Sequence, residues 1–541
     1  MMRLWFFLGA LIAVLLLTGV AVLLWRRFYR DDPQNAARRI FKNSAVPLAL
    51  RMMVRGFDLI FAVILLGKLA AADIGPYTLA ALLVAQYLGT FTEFGLGVFL
   101  TREVARDPTA APRLFGVTLA LRWLLVFVGA APIAALLIGG YSLLAQFGLG
   151  EAITPVGREA IWILLLTLIP SAYSGAVTAL YNASERMEIP ALIELVTAIL
   201  SFLVRIGVLL AGFGIIGLAW AAVAVSTCTA LIYLFLQMRD FFRPNLSWDN
   251  ALIRQIVPTA LPLMLNSLLG VVFFRFDVFI IRAFGGEQSD LLVQQYGMPY
   301  QVLGIALILP PVITFAVFPM LARRAVGERT ALVEAQNRTL QALLLLAFPI
   351  AMGIALLAPD LVWVFTRDQF ADYNPISVHV LAILAWFLPL SFVNGLLQYV
   401  LIAINQQRAI TRAFVIGAAF NLSTNLLAIA WLSLQGVPQL ELYAASVITI
   451  LSEIVLFAVF MPLLRREELM PPLLALAWRP ILAALAMGLA MLPVLAFVPR
   501  PWASLIAALV AVPVYGVTLW LLGAFGTEER ALAMRIIGRA S

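Results

Sequence analysis

The sequence predicts an all-α polytopic membrane protein: two six-helix lobes forming a parallel pseudo-repeat, an additional C-terminal helix pair, and an extra N-terminal transmembrane helix. Three observations carry that prediction. Fourteen long apolar stretches alternate with short loops from about Asn43 to Phe525, each near the roughly 20 residues a helix needs to cross a bilayer. The composition is 63% hydrophobic and 12% charged, a balance that a soluble domain of 541 residues could not hide from water. A short charged motif also recurs at matching places in the two halves. With hydrocarbon as solvent, backbone amides must be satisfied within each segment, so the spans are helical.

In order, the expected spans are 43–70, 76–100, 113–140, 159–182, 188–212, 214–238, 256–284, 294–322, 339–366, 375–404, 410–434, 439–464, 474–498 and 502–525. Before them runs Leu4 to Trp25, closed by Arg26, Arg27 and Arg30. Residues 1–30 therefore read as a transmembrane anchor, since the run is too long for a signal peptide and no small-x-small cleavage site follows it before the Arg cluster.

Lys and Arg in short loops resist translocation and collect on the cytoplasmic side. Twenty-four of the 36 lie in one set of alternate loops, from Arg26 to Arg539. Only six lie in the other set: Arg3, Lys68, Arg158, Arg282, Arg367 and Arg500. The main bundle is thus expected to start and end in the cytoplasm, with the C-terminus inside and the leader's N-terminus outside. The net charge of +8 reports this topology and contact with anionic membrane lipids. No basic soluble domain is present for nucleic acid to grip.

Several chemistries are excluded. Cys228 is the single cysteine and His379 the single histidine, so neither a thiolate cluster nor a paired-histidine metal motif can form. Lys42 precedes Asn43 and Lys68 precedes Leu69, so no phosphate-binding loop ends in Lys-Ser or Lys-Thr. A serine hydrolase would have to use His379 without a nucleophile elbow. The sequence calls for no cofactor, no metal and no enzymatic activity.

The recurring motif is Phe57-Asp58-Leu59-Ile60, whose Asp is followed nineteen residues on by Tyr77. Phe276-Asp277-Val278-Phe279 is followed at the same interval by Tyr296, and Arg55 and Arg275 precede the two Asp residues. The first and seventh spans then correspond, which sets lobes at 43–238 and 251–465 and leaves 474–525 as an appended pair. Parallel repeats of this kind occur in secondary transporters, with the substrate path between the halves. Chance recurrence of short apolar motifs is the competing reading.

Further motifs carry a family resemblance. They are Gly75-Pro76-Tyr77, Phe94-Gly95-Leu96 with Thr101-Arg102-Glu103, and Ala183-Ser184-Glu185-Arg186-Met187 in the first half. The second half adds Phe318-Pro319-Met320-Leu321-Ala322, Asn421 with Asn425, and Gly436 with Ala444-Ala445 before Glu453. Over residues 40 to 525 the chain resembles the polysaccharide flippase branch of the MATE-like multidrug/oligosaccharidyl-lipid/polysaccharide (MOP) exporter superfamily. The resemblance implies an alternating-access flippase in the bacterial cytoplasmic membrane. Its cargo would be polyprenyl-diphosphate-linked oligosaccharide, moved from the inner to the outer leaflet for cell-surface polysaccharide. It also implies glycosyltransferases or a glycan polymerase as partners.

The ionisable residues inside the spans are the functional candidates, because a charge at mid-bilayer is costly unless it faces protein or water. Arg51, Arg55 and Asp58 share a face of the first span at i, i+4 and i+7, as do Gln86, Thr90 and Glu93 on the second. Arg122, Arg205 and Arg275 add guanidiniums from the third, fifth and seventh spans. Guanidinium forks hold phosphate oxygens bidentately, so the five Arg residues are the candidate diphosphate-lipid site. Asp58, Glu93 and Asp277 are candidates for coupling to H+ or Na+, or for pairing with Arg. In a structural reading, Arg55–Asp58 and Arg275–Asp277 are self-neutralising pairs that lock helices together.

Asn421 and Asn425 fit interhelical hydrogen bonding. Pro258, Pro262 and Pro310-Pro311 are candidate bending points. Two other transport readings share the fold. A lipid II flippase would carry the same diphosphate-lipid chemistry, while a drug or cation exporter calls for an acidic, aromatic cavity rather than an arginine-rich one. A scaffold without transport would leave its charges dispersed at lipid-facing helix ends.

Overall fold

The computed structural model describes residues 36–148, 150–326, 329–499 and 502–524. The expected anchor at 1–30 lies outside them. Every described element is a helix. Thirteen of these segments are long and apolar enough to cross a membrane, from Ala71–Arg106 to Trp502–Leu521, and they match the second to fourteenth expected spans. The first span forms the helix Ala36–Lys68, whose apolar run is interrupted by Arg51, Arg55 and Asp58.

The helices group into two compact units. The first contains the chain up to Gly297 together with Phe365–Asp372, and the second contains Met298–Val364 with the chain from Tyr373 onward. The seventh span, Asn250–Arg275 continued by Asp277–Phe284, groups with the first unit. The lobes expected at 43–238 and 251–465 rest on the recurring motif in the sequence, whereas the units are a grouping by contact and divide the chain at Gly297.

The core of the first unit is built from Leu96, Phe99 and Leu100 on the second span, Phe115 and Val117 on the third, and Ala176, Val177 and Tyr181 on the fourth. Ile256, Ala260 and Met264 of the seventh span close it. Gly75 of the Gly-Pro-Tyr motif marks a close approach of two backbones. A Cβ there would stand 1.9 Å from the Asp290 carbonyl oxygen, so only glycine lets the second span touch the start of the eighth.

The expected bending points divide. Pro258 and Pro262 lie inside one continuous helix. In the eighth span, helix Ser289–Ala306 ends and helix Leu309–Val326 begins just before Pro310-Pro311, as the missing amide hydrogens require. The sharper break is in the second span, where Phe94 (φ 53°) and Gly95 (φ 69°) are left-handed. A π-helical segment, Leu82–Leu88, precedes it. In the second unit the appended pair, Leu473–Phe497 and Trp502–Leu521, packs through Met487, Met491, Ala507 and Ala511 against Met352 and Leu356 of the ninth span.

Candidate functional site

All eight sequence-predicted site residues belong to the first unit. The structure joins them into separate constellations rather than one cluster of hydrogen bonds.

The first joins spans one and five. Arg205 Nη2 lies 3.3 Å from Asp58 Oδ1, and its guanidinium stacks over Phe61 at 4.6 Å. Leu50, Met53, Phe57, Ala191 and Leu195 pack the two helices together and fix the distance. The pair is open within its unit, with 23% of the Arg205 side chain and 40% of the Asp58 side chain exposed. Asp58 thus takes Arg205 rather than the Arg55 on its own helix. Arg55 is exposed, and the side chain of Arg51 lies outside the described residues. Phe61 was not among the candidates, although its place three residues after Asp58 puts it on the same helix face.

The second constellation closes the break in span two. Glu93 accepts the amides of Gly95 (2.8 Å) and Gly97 (2.7 Å), which the left-handed turn leaves without helical partners. Arg122 Nη2 reaches the same carboxylate at 3.3 Å, and Arg122 Nη1 donates to the Ala172 carbonyl at 3.2 Å. Only 3% of the Arg122 side chain is exposed. This guanidinium is therefore closed to a ligand in this conformation and holds spans two, three and four together.

The third is at the end of span seven. Tyr296 donates its hydroxyl to Asp277 Oδ2, and the Val278 amide donates to Asp277 Oδ1 at 2.9 Å. Asp277 is 1% exposed and feels the nearby Arg275 electrostatically.

Arg282 departs from the sequence reading. Placed by its loop position among external basic residues, it is fully buried in helix Asp277–Phe284. It contacts Asp290 at 2.9 Å, donates to Ser289 at 2.6 Å, and donates to the Ala152 carbonyl at 2.9 Å. The apolar run Val278 to Phe284 around it was the available signal. In the second unit, the expected interhelical bond runs from Asn421 to Ser452 at 3.0 Å, while Asn425 bonds back to Asn421 at 3.1 Å. His379 sits 3.0 Å from the Tyr443 hydroxyl, a helix-end pair. Among the described residues no group of His, Cys, Asp and Glu could hold a metal ion.

A helical bundle of membrane-length spans, with a broken second helix and arginine–carboxylate pairs inside its first unit, defines a multi-pass membrane protein. The model of the family "Polysaccharide biosynthesis protein" matches residues 69–375, more than half of the chain, and the protein belongs to that family. No curated protein matches the sequence. Among solved structures, the chain is similar to lipid II flippase MurJ in an inward closed conformation, with 13% identity and a TM-score of 0.66. That match covers 88% of this chain and 99% of the other. An inward-facing multidrug resistance MATE family transporter matches at 16% identity and TM-score 0.60, covering 78% and 99%. A MOP superfamily transporter from Pyrococcus furiosus matches at 15% and 0.56, covering 82% and 98%. The fold and family agree with the resemblance carried by the motifs.

Proposed function

We propose that the protein is an alternating-access flippase. It moves polyprenyl-diphosphate-linked oligosaccharide or polysaccharide repeat units from the cytoplasmic to the outer leaflet of the bacterial inner membrane, for cell-surface polysaccharide. Family membership supports the cargo class, and the observation that carries the mechanism is the open Arg205–Asp58 pair over Phe61. A guanidinium that has a carboxylate partner yet is still exposed can exchange that partner for phosphate oxygens, at which it is geometrically adept. Arg51, Arg55, Arg205 and Arg275 present the cationic face to the diphosphate headgroup while the polyprenyl tail stays in lipid. Arg122, the fifth of the set, acts by holding Glu93. Asp58, Glu93 and Asp277 act as pairing groups that set the arginines between cargoes.

The C-terminus faces the cytoplasm, where glycosyltransferases supply the cargo, and a glycan polymerase takes it from the outer side. The likeness to a lipid II flippase favours one second reading, in which the same headgroup chemistry serves peptidoglycan. The deciding assay is flipping of labelled lipid-diphosphate-oligosaccharide and of lipid II in parallel proteoliposomes. Movement of the former, lost in Arg205→Ala and partly kept in Arg205→Lys, is the expected result. Transport of hydrophobic cations without either lipid would overturn the flippase reading.

A further inference from the structure

Span nine, the helix Arg329–Leu356, carries all its charged residues before Thr339, which sets its first turns at the membrane surface and the rest in hydrocarbon. Those turns form one wall of a cavity of about 470 Å³ within the second unit. Thr330, Val333, Glu334, Asn337, Arg338 and Gln341 line it at i, i+3, i+4, i+7, i+8 and i+11, one helix face about 16 Å long. Glu468, between spans twelve and thirteen, and Leu476 of span thirteen form the other wall. That wall is pinned to span nine. Gln336 donates to the Leu469 carbonyl at 2.8 Å, and Arg329 Nε donates to the Glu467 carbonyl at 2.8 Å while its guanidinium pairs with the Glu467 carboxylate. The cavity is therefore preformed, and its size falls within the range of about 300–1,000 Å³ common to small-molecule sites.

We propose that this cavity binds the headgroup of a phospholipid that carries both a phosphate and a primary ammonium, of which phosphatidylethanolamine is the simplest. Arg338 pairs with Glu334 at 2.6 Å, yet both side chains are exposed. The guanidinium can therefore exchange that partner for phosphate oxygens and release Glu334 to a cation. Arg329 goes to Glu467 rather than to Glu468, whose carboxylate lines the cavity. Asn337 Oδ1 is buried and receives no hydrogen bond among the described residues, a condition that costs free energy until a donor arrives. A primary ammonium brings three donors, enough for the Asn337 oxygen and the two carboxylates together.

Other headgroups match this lining less well. An anionic headgroup brings its phosphate beside Glu334 and Glu468 with no positive charge to offset them. A choline headgroup has a methylated ammonium with no N–H to give, and such groups are recognised by aromatic faces. Among the described residues no aromatic side chain lines the cavity. A lipid, rather than a soluble phosphate ester, fits the continuation of span nine. The ridge of Glu334 and Arg338 runs on through Ala342 and Leu346, both exposed and apolar, which gives acyl chains a path from the headgroup into hydrocarbon.

The test uses the full-length protein in detergent, stripped of native lipid and with no lipid-linked cargo, so its result is separate from that of the flipping assay. Dioleoyl phosphatidylethanolamine, its monomethyl and dimethyl derivatives, phosphatidylcholine and phosphatidylglycerol are titrated in turn, with bound lipid counted by native mass spectrometry and thermal midpoints recorded. Affinity should fall with each added methyl group. The two ends of that series should differ roughly tenfold, the worth of a hydrogen bond to a charged group, and midpoints should climb with lipid concentration in the same order. Asn337→Leu and Glu468→Gln should each narrow the gap between the ethanolamine and choline lipids, with lipid-free midpoints near wild type to show that both variants fold. Arg338→Ala should weaken every phospholipid alike. Equal binding of the ethanolamine and choline lipids by wild type overturns the proposal, as does tighter binding of phosphatidylglycerol. So does an unchanged gap in a folded Asn337→Leu/Glu468→Gln double variant, or soluble glycerophosphoethanolamine that stabilises the protein as strongly as the lipid.

Discussion

Tyr296 donates its hydroxyl to Asp277, nineteen residues earlier in the chain, and both side chains are buried. The first half carries the same interval between Asp58 and Tyr77, but there the carboxylate faces Arg205 at 3.3 Å. One spacing thus serves two ends. In one half it makes a closed, neutral-donor bond. In the other it leaves an ion pair open within its unit. Replacing Tyr296 by Phe keeps the ring and removes the hydrogen, leaving a buried carboxylate oxygen without its donor. The expected loss is about 1–3 kcal/mol, read as a lower thermal midpoint of the purified protein, while Tyr77→Phe should move the midpoint much less.

Gly75 offers a sharper steric test. A methyl group there would meet the Asp290 carbonyl oxygen at 1.9 Å, and a backbone atom cannot swing aside as a flexible side chain can. Gly75→Ala should cost about 1–3 kcal/mol or more by overpacking. Gly139→Ala, where a Cβ meets nothing within 4 Å, should be neutral or slightly stabilising. Melting of both variants in the same detergent makes the comparison.

These two tests mark what the sequence could and could not reveal. Span positions were legible because hydrocarbon length and hydropathy are written locally, and the described helices overlap the expected spans, with ends that differ by up to ten residues, as where the ninth begins at Arg329 rather than at 339. The Gly-Pro-Tyr motif was legible as a pattern, but its cause, a backbone 215 residues away in sequence at Asp290, was not. The same holds for pairing. Periodicity placed Asp58 beside Arg55 on one helix, yet the bond goes to Arg205 across the bundle, because a long guanidinium on a neighbouring helix reaches further than spacing along one helix can express. Arg282 counted as a loop charge for a related reason: burial depends on what packs over a residue, and that is not local.

At the N-terminal ends of spans three and seven, pH should act through Asp249. Its carboxylate caps helix Asn250–Arg275 by accepting from Ala251 (3.0 Å) and Leu252 (3.1 Å), and it pairs with Arg113. The hydrogen bond from Arg113, with those from the capped amides, holds its pKa below the ordinary 3.8. A depressed acid stabilises the fold above its unfolded pKa and loses that contribution as pH falls through the folded value. The stability gap between wild type and Asp249→Asn should therefore be constant from pH 8 down to about 5 and shrink below about pH 4. Denaturation midpoints across that series measure it. A gap that instead grows on acidification would reverse the assigned sign.

The alternation of basic loops makes a topological prediction. Arg323 and Asp368 are both exposed, and the loop bearing the first should be cytoplasmic and the second external. Single cysteines at these positions in a Cys228→Ala background should react oppositely to an impermeant reagent added to intact cells: Asp368→Cys labelled, Arg323→Cys protected until the cells are lysed.

The two arginine–carboxylate pairs should separate folding from transport. Arg122 is 3% exposed and shared between Glu93 and the Ala172 carbonyl, whereas Arg205 is 23% exposed and its Asp58 partner 40%. Removing one member of a buried pair strands the other, at a cost of about 3–5 kcal/mol. The open pair is worth far less to stability, because its surroundings already solvate part of both groups. Arg122→Ala should therefore lower the thermal midpoint and the yield of folded protein, with transport per folded molecule largely retained. Arg205→Ala should melt close to wild type yet lose most flipping of lipid-diphosphate-oligosaccharide, and Arg205→Lys should recover part of it, since a point charge keeps the attraction without the fork. Equal transport by wild type and Arg205→Ala at matched folded protein would show that the open pair is merely structural and move the headgroup site elsewhere in the bundle.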